Sequence, residues 1–172
     1  DTIALEVAKQ LEWSVVTAEG FRSKERPINV NRPTEGIGLT SANERHTKRA
    51  ATVFAAYRRC ILHLQKSPEF YVEIHGQGRF PHMEVAVVGL TPAESKTVKS
   101  ILSQAFGRDV EMAVEGVDGV FYAAAGAKKF GLLGKMRRAL HIELDWLQRR
   151  DQRDETVRAL VKALPLIQDA LR

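Results

Sequence analysis

Between Ser41 and Lys66 the chain runs for 26 residues without a glycine or a proline. At about 100° per residue its side chains sort into two faces, which predicts a long amphipathic helix. Ala50, Val53, Phe54, Tyr57, Ile61 and Leu64 form an apolar stripe broad enough to seat on a core. Cys60, the only cysteine, falls on the same side and reads as a small buried hydrophobe. Arg45, Lys48, Arg49, Arg59, His63 and Lys66 fall on a second stripe, with Thr52 and Ala56 between them. A basic face flanking small residues admits a phosphate backbone closely; the plainer reading is a solvated face.

The charge distribution extends that pattern. Residues 20–66 carry ten Lys/Arg against three Asp/Glu, and residues 126–150 carry seven against two. The rest of the chain is acidic or neutral, so a fold that joins the two segments would build one basic patch. At 172 residues, 44% hydrophobic and 27% charged, the chain has the composition of one globular domain with a real core. No apolar run approaches the roughly 20 residues that span a bilayer. One cysteine excludes an internal disulfide and a cysteine-rich metal site, which fits a reducing compartment and a cytoplasmic location. No membrane partner is expected.

Along the chain, residues 2–13 read as a helix and residues 14–18 as a strand. Residues 20–40 hold Pro27 and Pro33 and few large apolar side chains. They predict a long loop with an edge strand at 28–30, and Arg22, Lys24, Arg26 and Arg32 make it a basic arm. Phe70, Val72 and Ile74 alternate with polar residues as a half-buried strand does, and Met83, Val85 and Val87 repeat the pattern after a turn. Thr91-Pro92-Ala93-Glu94 has the residues of a capping box, opening a helix that stops at Gly107. Strands are expected at 110–114 and 120–124. Leu133, Met136, Leu140, Leu144 and Leu147 step by three and four, predicting a helix, and Val157 to Leu171 predict another, kinked at Pro165. The expected fold is α+β. A small, mainly antiparallel sheet (strand-strand-helix-strand-strand) packs on the long central helix and ends in a C-terminal helical hairpin. One domain spans 1–172: an N-terminal helix and basic loop (1–40), a core (41–125) and the hairpin (126–172). Leu160, Leu164 and Ile167 should bury against the 131–149 helix or a second copy of the chain.

Few residues assemble into a reaction centre by spacing alone. Gly126-x4-Gly131 is followed by Leu132, so it is no nucleotide-binding loop, although Lys128, Lys129 and Lys135 could still hold a phosphate there. His75 and His82 flank a turn, with Glu73 and Glu84 on the same strands, and two His with two Glu suffice for zinc. On a helix, His141-x-Glu143-x-Asp145 would scatter its side chains around the axis. Glu84-Val85-Ala86 lacks the lysine of a nuclease strand, and no Gly-x-Ser-x-Gly elbow occurs. Arg79 and Phe80 at the turn pair a guanidinium with a ring.

These features favour a non-enzymatic nucleic-acid-binding protein, DNA ahead of RNA, with no cofactor and no metal. Arg45, Lys48, Arg49, Arg59, His63 and Lys66 would contact phosphates. Arg22, Lys24, Arg26, Arg79, Lys128, Lys129, Arg137 and Arg138 would extend the track. The alternative is a protein-interaction subunit that docks or self-associates through 131–171. A weaker third is a metal-dependent hydrolase at His75/His82.

Overall fold

In a computed structural model, residues 2–21, 25, 27–36, 44–66, 68–107 and 110–172 are described. The elements are α1 (Thr2–Leu11), β1 (Ile28–Asn29), β2 (Thr34–Glu35), β3 (Arg45–His46), α2 (Lys48–Leu64), β4 (Tyr71–Gly76), β5 (Met83–Val88) and α3 (Pro92–Phe106). They continue with β6 (Met112–Val114), α4 (Ala125–Phe130), a 3-10 turn (Leu133–Lys135), β7 (Ala139–Leu144), α5 (Trp146–Arg149) and α6 (Arg153–Ala170). The class is α+β, as the alternation and helical periods predict. Among the described residues, three of the five strand ladders are antiparallel.

Two sheets form. β1, β2 and β3 make a small antiparallel one, tied by Glu44, which accepts from Asn29, Thr34 and the Arg32 guanidinium. The larger sheet has the order β4-β7-β5-β6. β7 lies between β4 and β5, parallel to the first and antiparallel to the second, so these two do not form a hairpin. β5 and β6 pair in parallel through α3.

The strand β7 corrects the expected helix over 133–147. A step of four is an even number, so Leu140 and Leu144 share a face under a helical period and under a strand period alike. Ile142, which the helical stripe left out, joins them on the strand, and all three are essentially inaccessible to solvent. With β7 a strand, no C-terminal helical hairpin forms: α5 is a single turn capped by Asp145, and α6 follows it. Residues 120–124 are not a strand either, and residues 14–18 have no regular structure.

The main core lies on one face of the large sheet. Val72 and Ile74 of β4, Val85 of β5, Val114 of β6 and the three β7 residues meet Val98 and Leu102 of α3, Val157, Leu160, Leu164 and Ile167 of α6, and Ile3 and Val7 of α1. Each large side chain buried this way contributes about 1.5–3 kcal/mol. Leu160, Leu164 and Ile167 are buried as their spacing predicts, but against α3 and α1, the 131–149 helix being absent. Thr91 caps α3 and Glu94 closes the box, its side chain accepting from Thr91 N at 2.7 Å. α6 runs through Pro165.

The central helix is shorter and more exposed than its stripe suggests. α2 starts at Lys48, capped by Thr47, while Arg45 belongs to β3 and residues 41–43 lie outside the described residues. Ala50 and Ile61 are buried; Val53, Phe54 and Tyr57 are half-buried; Leu64 is 48% exposed and Cys60 is exposed. α2 does not carry the main core. It joins a second cluster with Leu132, Leu133, Met136 and Ala139, over the other face of the sheet. Among the described residues, no helix is long and apolar enough to cross a membrane.

Candidate metal centre

The sheet face turned away from α3 and α6 is apolar at its Ala139–Val88 end and polar beyond it. Alternation along β4 puts Tyr71, Glu73 and His75 there, because Val72 and Ile74 point into the core. β7 contributes His141 and Glu143 by the same rule, and β5 contributes Glu84 and Ala86. The register sets Glu73 directly beside His141, and His75 beside Glu143. Glu84 faces Glu143 across the β5–β7 ladder.

Glu73, His75 and His141 converge. One possible ligand atom from each lies within 4.8 Å of the others. Glu73 Oε2 is 2.8 Å from His141 Nδ1 and 3.4 Å from His75 Nε2. The two imidazoles stack, with centroids 4.4 Å apart. The far nitrogen of His141, Nε2, meets Glu143 Oε1 at 3.1 Å. Glu73 is held from its other sides too. Tyr71 donates its hydroxyl to Oε1 at 3.1 Å, and Asn31 donates Nδ2 to Oε2 at 3.0 Å. Tyr57 of α2 lies 3.5 Å from the Tyr71 hydroxyl, linking that helix to the cluster.

Burial and charge oppose each other here. Burial alone would raise Glu73, but hydrogen bonds from His141 and His75, and their charge, hold it far below the usual carboxylate range. Burial would likewise lower His141; hydrogen bonds to Glu143 and Glu73 outweigh it and push the imidazole up to about 9. Tyr57 is pushed up to about 12 by burial first and then by the Glu73 charge, and Tyr71 is raised on the same grounds, so both phenols remain donors. Asn31 Oδ1, buried beside Glu73, has no hydrogen-bond partner among the described residues.

His75 and His82 do not meet in the way the turn suggests, since β7 separates their strands. His82 instead pairs with Glu84 at 3.3 Å, and Glu84 also accepts the backbone N–H groups of Phe121 at 3.1 Å and Tyr122 at 2.7 Å. Those two bonds fasten residues 120–124 without making them a strand. Asp145, two residues beyond Glu143, caps α5.

The cations expected to track a phosphate backbone are arranged otherwise. Arg22, Lys24 and Arg26 lie outside the described residues. Arg45, Lys48, Arg59, His63 and Lys66 are exposed, and Arg49 is exposed but bonds Glu35 at 2.9 Å. Arg32 pairs with Glu44, Lys128 with Glu115, and Arg138 with Glu94 at 2.7 Å. Lys129 lies over the Phe130 ring, Arg79 over Phe121, and Arg137 is exposed. The reading as a non-enzymatic nucleic-acid binder without a metal is therefore withdrawn. Several cations answer the chain's own carboxylates, and the assembled chemistry is the buried Glu73/His75/His141 set. The signal for it was present as Glu-x-His at 73–75 and His-x-Glu at 141–143, each of which shares one face only on a strand.

No family model matches this chain, and no curated protein matches it in sequence. Among solved structures it is similar to the "Putative metallopeptidase" from Shewanella baltica OS155, at 14% identity and a TM-score of 0.44. The match covers 84% of this chain, which spans about half (55%) of that one. A likeness of that degree says nothing about this chain's chemistry.

Proposed function

We propose that the chain is a metal-dependent hydrolase domain whose ion is held by Glu73, His75 and His141. The observation that carries this reading is the convergence of one carboxylate and two imidazoles within 4.8 Å. One oxygen and two nitrogen donors suit zinc, and three protein ligands leave a position for water or substrate. A tetrahedral zinc with bonds of about 2.0–2.1 Å sets its donors roughly 3.3 Å apart. The 3.4 Å between Glu73 and His75 fits that spacing, and the 2.8 Å hydrogen bond between Glu73 and His141 must open by about half an ångström. An ion bound there would polarise a carbonyl or phosphoryl oxygen and bring the pKa of a bound water toward neutrality.

The chain's own residues supply orientation. Glu143 takes the Nε2–H of His141 and so aims Nδ1 at Glu73, the arrangement that fixes a ligating histidine's tautomer. Tyr71 and Asn31 each hold one oxygen of Glu73. His75 has the most open side chain of the three, 24% exposed, so substrate approaches from its side.

Calorimetric titration of chelator-stripped protein with zinc tests the reading. One ion per chain should bind, and His75→Ala and His141→Ala should each lose at least about 100-fold in affinity, beyond the loss typical of outer-shell changes. Affinity should climb as pH rises toward 9, because His141 must release its proton to bind. Zinc-dependent cleavage of a panel of amide, ester and phosphoester substrates then identifies the bond. Absence of zinc uptake at about pH 8 would refute the proposal.

A further inference from the structure

The turn between β4 and β5 has to step over β7, and one buried amide builds it. Gln77 Oε1 accepts from Arg79 N at 2.7 Å and Phe80 N at 2.9 Å, and Nε2 donates to Phe80 O at 2.7 Å and His82 O at 3.0 Å. Four bonds from one side chain fix the path of the turn. Phe80 is thereby stacked on His82 with centroids 5.2 Å apart, and Phe121 stands edge-on to Phe80 at 5.5 Å. Glu84 fastens the backbone of Phe121 from below. The Arg79 guanidinium lies 4.1 Å over the Phe121 ring.

Two features of this platform point to a ligand. Phe121 is 55% exposed although its backbone is tied to Glu84 and its ring packs on Phe80. The Arg79 guanidinium has no carboxylate partner among the described residues. A guanidinium laid on a ring uses its flat face and keeps its N–H edge for an oxyanion. The platform also borders the proposed metal centre: His75 and His82 stand at the two ends of the same turn, and β4 and β5, two strand spacings apart, are separated by about 10 Å.

We infer that Arg79, Phe80 and Phe121 form a substrate subsite that grips a carboxylate carried beside an aromatic or large apolar side chain, as at the C-terminal end of a peptide. This rests on the hydrolase reading above and names its substrate class. The one guanidinium on the platform balances the single charge of a carboxylate, and it would leave the second charge of a phosphate dianion unbalanced. The two rings supply apolar contact for the neighbouring side chain.

The probes are N-acetyl-L-phenylalanine, its uncharged amide and phenyl phosphate, titrated by calorimetry into chelator-treated protein so that no bound ion can recruit the carboxylate. The acid should bind at least about tenfold more tightly than the amide, the factor expected from one charge-assisted hydrogen-bonding pair. Arg79→Met should abolish that difference while taking up zinc as the wild type does, and Phe121→Ala should weaken acid and amide alike. Equal binding of acid and amide, unchanged acid binding by Arg79→Met, or tighter binding of phenyl phosphate than of the acid would each overturn the subsite. A wild type that discriminates acid from amide yet fails to take up zinc keeps the subsite and loses the hydrolase reading. Zinc uptake without discrimination does the reverse.

Discussion

His141 makes the metal-free protein's stability depend on pH in a direction opposite to that of ordinary acid denaturation. Its imidazole is raised from an ordinary 6.5 to about 9 in the fold, because the hydrogen bonds and charge of Glu143 and Glu73 overcome its burial. A raised folded value means that the folded state holds the proton more tightly than the unfolded chain. The resulting stabilisation is complete below about pH 6.5 and is lost as pH rises through about 9. At about 1.4 kcal/mol per tenfold change in proton affinity, the contribution is about 3 kcal/mol. Glu73 is held low, so it stays ionised throughout this window and does not blur the effect. Urea denaturation in the presence of chelator, at about pH 6 and about pH 10, measures it when wild type is compared with His141→Gln. Wild type should lose about 3 kcal/mol more than the variant between the two conditions, other titrating groups cancelling in the difference. Parallel stability changes in the two proteins would show that His141 is not held as a cation, and the electrostatic account of the cluster would fall.

Two further outcomes follow from particular contacts. Glu143→Gln keeps the shape but weakens the grip on His141 Nε2, so zinc affinity measured by calorimetry should fall by about 10–100-fold with little change of fold by circular dichroism. Gly89 has φ +70°, and a Cβ there would come within 1.9 Å of the Arg137 carbonyl oxygen, so Gly89→Ala combines backbone strain with a clash. It should cost on the order of 3 kcal/mol and lower the thermal midpoint by roughly 6–12 °C; an unchanged midpoint would contradict the close approach of β5 and β7 ends.

Local patterns determined a good deal of this molecule. The capping box at Thr91–Glu94, the helical spacing of Val157–Leu171 and the alternation at 70–74 and 83–87 each state one period only. Secondary structure follows from them without knowledge of the partners. The same alternation puts Glu73 and His75 on one face of one strand, so two of the three candidate ligands could be read directly. β7 was not legible. Leu140 and Leu144 satisfy a helix and a strand equally, and what decides between them is the pair of neighbours: β4 and β5 satisfy its backbone on both edges, while α3 and α6 bury its apolar face. That choice also governs the chemistry. On a helix His141 and Glu143 diverge; on a central strand they share a face, beside Glu73 and His75 from a segment some 68 residues earlier. The basic face of α2 is the converse case, legible as a stripe but silent about its partners, since Glu35 reaches Arg49 only through the tertiary fold. Period is a property of a segment and can be read from it. Convergence depends on strand order, which no single segment contains.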